Sequence, residues 1–596
     1  MPSLQKSCCA KVINLQQRIS FYSSLPETAS RRRIFSTKLL FSLALSLCAF
    51  LSILFSRYVI SGTDLRFLPA NVTAPSHNRD NFNHVVLEEF KEVTRRSRHV
   101  SSFQDSVKYN TVSLLMPDWV VLVILSPETP LLSSDSVEGF HCLFSNNQSS
   151  PATFAGFLPF TERSTFKCLM PDRVRRHLPY RQPIFTKYPE KETRVKGPPA
   201  EMLLRTFSLA YESISTKNDV VLFVKDKDVN RRLGFNRPPQ EFTCVFGDDE
   251  KAAFKTPVTS STQEVFRCSQ PNLTALTSVS DQPIKISLEI TSENRTVPSV
   301  TYYTPQRLIA KSQEPKSLIC ACSMIYNVAK YLKEWVIYHS KIGVDKFILY
   351  NNDSDDELQS VVKELNDEGY NVTTLLWLWP KTQESGFSHN AIHAKDSCKW
   401  MMYLDVDEFV FSPSWENSST PSKEMLKSLL PRDKSIGQVS FRCNDFGPSN
   451  QKSHPVNGVT QGYNCYRRVD QQRHKSIVLL DAIDDSLSNV IHHFRLKNSF
   501  KWKLMSTEVA LVNHYKYQAW TEFKAKFRRR VSAYVVDWRE RINPTSKDRT
   551  PGLGFQPIEP KGWAQKFCDV KDDRLKFLTQ KWFGHQTPSG LKMVWQ

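Results

Sequence analysis

Two aspartates, Asp405 and Asp407, stand two residues apart at the end of an apolar run, Trp400 to Leu404. In an extended segment residues at that spacing point to one side, and their carboxylates supply the hard oxygen ligands that suit Mn2+ or Mg2+. Two anions buried side by side cost several kcal/mol unless a cation or another partner meets them. A divalent ion between them and a departing diphosphate answers that cost and stabilises the charge that develops on the leaving group. An Asp-x-Asp triplet alone arises by chance in many chains, so its weight depends on the elements that position it.

Those elements alternate. Lys316–Ile325 (KSLICACSMI) reads as a buried strand. The helix that follows carries Val328, Leu332, Trp335, Val336 and His339 at spacings of three and four, and ends at Gly343. KFILYNN from Lys346 is a second buried strand. DSDDELQSVVKELNDEG is a second helix with acids at its N-terminus, where the helix dipole favours them. YNVTTLLWLW is a third strand and KWMMYLDVDEFVF a fourth. Strand and helix alternating at this length predict a parallel, right-handed α/β sheet. Ligands of such sheets lie at the carboxyl ends of the strands, which singles out Ser323–Asn327, Asn351–Asp356 and the Asp405–Asp407 turn.

Upstream, residues 106–310 hold short β-branched and aromatic runs punctuated by Pro, Ser and Asn, as in antiparallel sheets. One pattern occurs twice. WVVLVILSP, then Cys142 and Cys168, is echoed by DVVLFVK, then Cys244 and Cys268; the cysteine gaps are 26 and 24 residues and the displacement about 100. Disulfides Cys142–Cys168 and Cys244–Cys268 are expected, each stabilising by roughly 2–4 kcal/mol. The region is read as two small β-sandwiches or one sandwich built from two related halves, serving either as a carbohydrate-binding module or as a scaffold for the domain that follows.

The chain has 596 residues and a formal charge of +19, of which +7 lies in residues 1–60. The mildly basic remainder suits a nucleoside diphosphate or an acidic polysaccharide. No Cys/His finger, RNA-recognition motif or basic heptad region is present, so nucleic acid is not an expected partner. Leu39 to Phe55 is uncharged over 17 residues and follows Arg31-Arg32-Arg33. It is read as a signal anchor with its positive flank in the cytosol. The expected organisation is a cytosolic tail (1–33), a transmembrane helix (34–56), a stem (57–105), the β-rich region (106–310) and the α/β domain (316–585). Ten of the 13 cysteines and all seven Asn-x-Ser/Thr triplets (Asn71, Asn147, Asn272, Asn294, Asn352, Asn371, Asn417) fall on the lumenal side of that anchor. Cys320, Cys322, Cys398, Cys443, Cys465 and Cys568 lie in the α/β domain, where disulfides are favoured over a zinc site.

Several segments together resemble plant glycosyltransferase family 92, whose members include β-1,4-galactan galactosyltransferases. They are NVAKYLKEWVIYHSKIGVDKFILYNNDSDD from Asn327, WPKTQESGFSHNAIHAKDSCKWMMYLDVDEF from Trp379, FGPSNQ from Phe446, RHKSIV from Arg473 and VNHYKYQAWTEFKAKFRRRVSAY from Val512. The resemblance spans roughly residues 316–545. It implies a GT-A-like α/β domain with a Rossmann-like parallel-sheet core, a metal-binding Asp-x-Asp, a UDP-sugar donor and inversion at the anomeric carbon. On it, Asp405, Asp407 and His514 are expected to hold Mn2+ or Mg2+, with His492 and His493 as rivals to His514, although their segment VIHHF reads as a strand. Asn327 and Asp353 are placed for the nucleoside, with helix capping as the alternative. Lys516 and Arg528–Arg530 are candidates for the diphosphate, with a solvated helix face the favoured reading of the arginine run. Asp445 is the expected general base, with Asp484, Asp485 and Glu508 competing, and Trp377 and Trp379 are candidates for stacking on sugar. The implied protein is a type II Golgi enzyme that transfers a hexose, UDP-galactose the leading donor, to a cell-wall-type glycan. A transferase acting on N-glycans or glycoproteins, or a non-catalytic lumenal carbohydrate-binding protein, are the competing readings, and a homodimer is left open.

Overall fold

The computed structural model describes residues 109–596 apart from 131, 133–136, 146, 188–199, 231–235, 248–253, 272–282, 304–314, 470–473 and 533–557. The expected tail, anchor and stem, the triplets at Asn71 and Asn272 and the side chains of Arg528–Arg530 lie outside the described residues. Among the described residues no helix is long and apolar enough to cross a membrane. Phe103–Gln596 forms one compact unit.

Within it, residues 111–303 build a sheet in which one arrangement occurs twice. The first copy runs, edge to edge, Thr111–Leu115, Val120–Leu125, Ser164–Leu169, Ser149–Phe157, His141–Leu143, Ile184–Thr186. The second runs Ser208–Ser215, Asp219–Asp226, Val265–Ser269, Phe254–Thr262, Phe242–Phe246, Ile284–Ile290, strand for strand the same order. A long strand turns the corner in each. Ser149–Pro151 pair with His141–Leu143, and Ala152–Phe157 pair with Ser164–Cys168. Likewise Phe254–Pro257 pair with Thr243–Phe246, and Val258–Thr262 with Val265–Cys268. A strand that changes partner halfway folds the sheet back into two layers. That fold brings Cys142 to Cys168 and Cys244 to Cys268, with Cα separations of 6.2 and 5.9 Å. Both bridges are the ones the doubled cysteine pattern predicts.

The second sheet positions the site. Its strands are β1 (Ser317–Ile325), β2 (Lys346–Asn351), β3 (Val372–Leu376), β4 (Cys398–Tyr403), β5 (Glu408–Phe411), β6 (Ile436–Asp445), β7 (His474–Leu479), β8 (Lys501–Leu504) and β9 (Leu511–His514). They lie in the order β3-β2-β1-β4-β7-β6-β9-β5, with β8 beside β6. β1 to β4 are mutually parallel. β7 is antiparallel to both its neighbours, and β5 is antiparallel to β9. The parallel sheet expected from the sequence is therefore half of a mixed one. Strand order reverses between β1 and β4, the switch point at which such sheets bind ligands.

Helix α1 (Ala329–Ile342) packs on this sheet through Leu332, Trp335, Val336 and Ile342, all fully buried; each contributes about 1.5–3 kcal/mol by leaving water. It stops at Gly343, whose φ of 129° and close approach to the Lys423 carbonyl (2.4 Å from where a Cβ would sit) exclude a side chain. Helices α2 (Leu358–Asp367) and α3 (Gln383–His393) cross over to β3 and β4, and α4 (Trp520–Ser532) follows β9. Three local expectations are corrected. The acids of the DSDD segment do not lie in the first turn of their own helix, which begins at Leu358; Asp356 instead accepts the Ala329 N–H at the start of α1, 2.8 Å away. KWMMYLDVDEFVF is not one strand; it breaks at Leu404–Asp407, where the Glu408 N–H bonds the Asp405 carbonyl and β5 departs to pair with β9. VIHHF is not a strand but a bent segment anchored to the Tyr403 carbonyl through His492 Nδ1.

Cysteine pairing is likewise resolved. Cys320 bridges Cys398 and Cys465 bridges Cys568, which removes the Cys-x-Cys pair from any zinc reading; Cys322 and Cys443 are free and buried.

Candidate active site

The turn between β4 and β5 carries Asp405 and Asp407 into a cleft of about 590 Å³ at the carboxyl edge of the parallel strands, with Glu408 fully buried behind them. Around it the backbone is tightly bonded. Glu408 Oε2 accepts the Asp405 N–H (2.9 Å), and the Tyr515 N–H bonds the Asp407 carbonyl (2.8 Å). β9 ends beside this turn, and register pairs His514 with Glu408 on one side and with Asp445 on the other.

The side chains form two overlapping groups, Asp407–Glu408–His514 and Asp405–Glu408–His492, in each of which the ligand atoms lie within 4.8 Å of one another. His514 Nε2 stands 3.8 Å from Asp407 Oδ1 and 3.6 Å from Glu408 Oε1. Its Nδ1 is 3.0 Å from Asp445 Oδ1 and donates to it, which leaves Nε2 facing the acids. His492 Nε2 is 3.7 Å from Asp405 Oδ2. Burial, and then Lys475 beside it, hold its imidazole well below the ordinary value and keep it neutral.

Lysines balance the acids. Lys475 Nζ lies 2.5 Å from Glu408 Oε1 and 3.3 Å from Asp405 Oδ2; Lys526 Nζ lies 2.6 Å from Asp407 Oδ2. Burial raises the Asp405 carboxyl, but the Lys475 ammonium, through its charge and its hydrogen bond, outweighs it and leaves it well below the usual range. Asp407 is likewise raised by burial and lowered further by the charge and hydrogen bond of Lys526. Glu408, fully buried among like charges, is pushed up to about 7, with Lys475 opposing the rise. Neutral imidazole nitrogen beside carboxylate oxygens is a donor set that fits Mn2+ or Mg2+, and the residues present fit such an ion.

The positions expected from sequence separate here. Asp405, Asp407 and His514 come together in the cleft. Asp353 lines it and is ion-paired with Lys167 of the β-rich region. Asn327 instead ties the ends of β1 and β2: its side chain accepts the Asp355 N–H (2.9 Å) and its N–H bonds Ser354 Oγ (3.0 Å). Asp445 does not line the cleft. It sits behind His514, bonded to it and to Lys516 at 2.6 Å, and these partners overcome its burial to keep it far below the carboxylate range. Lys516 is thereby occupied away from the cleft, its ammonium 5.0 Å from the Tyr517 ring centroid. His493 bonds His474 and stays outside the acid groups. Trp377 is core and donates to Thr382 Oγ1, whereas Trp379 borders the cleft. Asp484, Asp485 and Glu508 line no part of it. Asn352 is half-buried in the cleft wall with its amide on the Trp377 carbonyl, whereas Asn147, Asn294, Asn371 and Asn417 are exposed. Glu408, Lys475 and Lys526 were not foreseen. Glu408 directly follows the Asp-x-Asp triplet, but nothing local marks two lysines that arrive from β7 and α4.

Comparison with known proteins defines the class as glycosyltransferase. The chain belongs to glycosyltransferase family 92: residues 316–550 match the family, and similar family 92 proteins are found in three plants. One from Oryza sativa subsp. japonica is 40% identical over 63% of this chain and 66% of its own length. One from Arabidopsis thaliana is 40% identical over 65% and 68%, and one from Ricinus communis 35% identical over 78% and 81%. Similar solved structures include the mannosyltransferase PcManGT of Pyrobaculum calidifontis in complex with GDP-Man and Mn2+ (10% identity, 36% of this chain, 61% of that one, TM-score 0.24). S. aureus TarS 1-349 is another (12%, 36%, 65%, TM-score 0.22).

Proposed function

We propose that the chain is a metal-dependent, inverting hexosyltransferase of GT-A type that uses a nucleoside-diphosphate sugar. UDP-galactose is the leading donor and a cell-wall-type glycan such as β-1,4-galactan the acceptor. The observation that carries this reading is the acid–imidazole cluster of Asp405, Asp407, Glu408 and His514 at the strand-order switch. Asp407, Glu408 and His514 would hold a divalent cation, with Asp405 beside them. When bound, that ion supplies positive charge to the departing diphosphate. Lys526 reaches the same place from α4 and binds diphosphate oxygen there. Asp353, at the end of β2, accepts from the ribose hydroxyls, as a carboxylate after the second strand does in nucleotide-binding sheets. Asp445 holds the His514 ring in the tautomer and orientation that leave Nε2 free. Placement as a single-pass type II Golgi protein belongs to the same proposal. The apolar run behind Arg31–Arg33 supports it, as do four disulfides, which persist in oxidising compartments.

The test is a donor screen with the full chain, Mn2+ and galactan oligosaccharides, reading released nucleoside diphosphate. Release is expected from one UDP-hexose, to vanish in chelator, and to fall at least about a hundredfold in Asp405→Ala/Asp407→Ala. Transfer that persists in chelator or in that double variant would overturn the reading.

A further inference from the structure

The cleft has two ends of different origin. At one end stand Asp405, Asp407, His514 and Lys526. At the other, one wall belongs to the first copy of the β-rich repeat: Met116, Pro117, Asp118, Val120, Leu122 and Lys167. Facing that wall are Asp353 at the end of β2 and Leu378, Trp379 and Pro380 after β3.

The wall is fixed in place. Leu114, Met116, Leu122 and Tyr211 share one buried cluster with Tyr350, Trp377, Trp379 and Phe387 of the α/β domain. The second copy is bonded to the α/β domain as well: Lys225 Nζ donates to the Pro380 carbonyl (2.7 Å), and Glu264 accepts from Ser385 (2.9 Å). The loop that reaches the cleft holds Asp118 and Trp119 at φ of 58° and 64°, a conformation uncommon for residues other than glycine. It is maintained by Trp119, which meets Tyr180 edge-on at 5.9 Å and whose carbonyl accepts the Met170 N–H. Strain held by surrounding contacts is a mark of functional positions.

Direction along the cleft follows from the strand order. With diphosphate at the β4 end, the nucleoside runs across β1 towards β2, where Asp353 meets the ribose. The base then falls beyond Asp353, against the half-buried Pro117 and Val120 on one side and Pro380 on the other, where Met116, Leu122, Leu378 and Trp379 pack together as part of the lining. Apolar walls on both sides with a few polar groups at the rim suit a flat heteroaromatic ring. We infer that the nucleobase subsite is composite, with one wall contributed by the first repeat of the β-rich region, which thereby becomes part of the donor site. The inference rests on the proposed use of a nucleoside-diphosphate donor.

Two measurements on the full chain test it. Photolysis with 5-azido-UDP, which carries its reactive group on the base, should label the peptide containing residues 116–122. Label confined to catalytic-domain peptides would overturn the inference. Val120→Trp, which fills the subsite from the β-rich side, should weaken UDP binding about tenfold or more while Mn2+ binding is unchanged. Unchanged UDP affinity with a raised KM for the glycan would make this an acceptor wall and overturn it. A wild-type chain that binds no nucleoside diphosphate defeats the proposed function itself; wild-type binding that Val120→Trp and the photolabel leave untouched defeats only the composite subsite.

Discussion

His514 Nδ1 donates to Asp445 Oδ1 across 3.0 Å, which turns Nε2 towards Asp407 and Glu408. A carboxylate behind an imidazole fixes its tautomer and raises its basicity as a ligand, and loss of such a partner costs about 10–100-fold in metal affinity. Asp445→Asn is therefore expected to weaken Mn2+ binding by that factor, with transfer largely restored at saturating Mn2+. Calorimetric titration of Mn2+ with parallel transfer assays checks it. Mn2+ affinity left intact while transfer collapses would return Asp445 to the role of general base.

Lys526 Nζ on Asp407 Oδ2 competes with any cation for that carboxylate. The pair is partly exposed, and such pairs contribute about 0.2–1 kcal/mol. Lys526→Met should bind Mn2+ a few-fold more tightly in the absence of nucleotide and bind UDP more weakly in its presence. Opposite movement of the two dissociation constants is the signature; a parallel loss of both would show that Lys526 only supports α4.

Lys475 is buried between Asp405 and Glu408. Burial lowers its ammonium, but the two acids outweigh burial and push it above its ordinary value. Removing one partner from a buried ion cluster leaves charge uncompensated at a cost of about 3–5 kcal/mol. Lys475→Met is expected to lower the unfolding midpoint by several degrees, and Mn2+ should recover part of the loss by replacing the missing charge. Thermal unfolding with and without Mn2+ measures both effects.

What the chain discloses before folding divides along physical lines. Asp405 and Asp407 stand two residues apart in sequence and end a run whose apolarity marks a strand, so local pattern suffices to find them. The doubled cysteine unit is legible for the same reason: its spacing repeats, and the repeat returns in the strand order of both copies. Lys475 and Lys526 reach the acids only through tertiary packing, from positions 70 and 119 residues downstream of the carboxylates they meet. Asp445 was visible as an acid at a strand end, but its orientation behind His514 depends on β6 and β9 lying parallel and in register. The cleft wall at Met116–Leu122 was hidden because its apolar residues satisfy a strand pattern equally well when they face a ligand.

Glu334 on α1 is buried and accepts the N–H groups of Val459 (2.7 Å) and Thr460 (3.0 Å) and the Thr460 hydroxyl (2.6 Å). Burial outweighs these bonds and raises its carboxyl to about 7 from an ordinary 4.5. Folded chains therefore hold a proton on Glu334 that unfolded chains release between pH 4.5 and about 7. The unfolded state binds fewer protons in this window, so stability from this group falls as pH rises through it and is level above. The full difference corresponds to about 3 kcal/mol. Glu334→Gln should lose that slope: urea unfolding at pH 5 and pH 7 is expected to separate wild type by more than the variant. Equal differences in both would show that Glu334 is ionised throughout. Gly458 supports the same contact, since its φ of 100° and the 2.4 Å from a Cβ position to Glu334 Oε2 leave no room for a side chain. Gly458→Ala is accordingly expected to destabilise by about 1–3 kcal/mol, and in combination with Glu334→Gln by less than the sum, because the two residues share one contact.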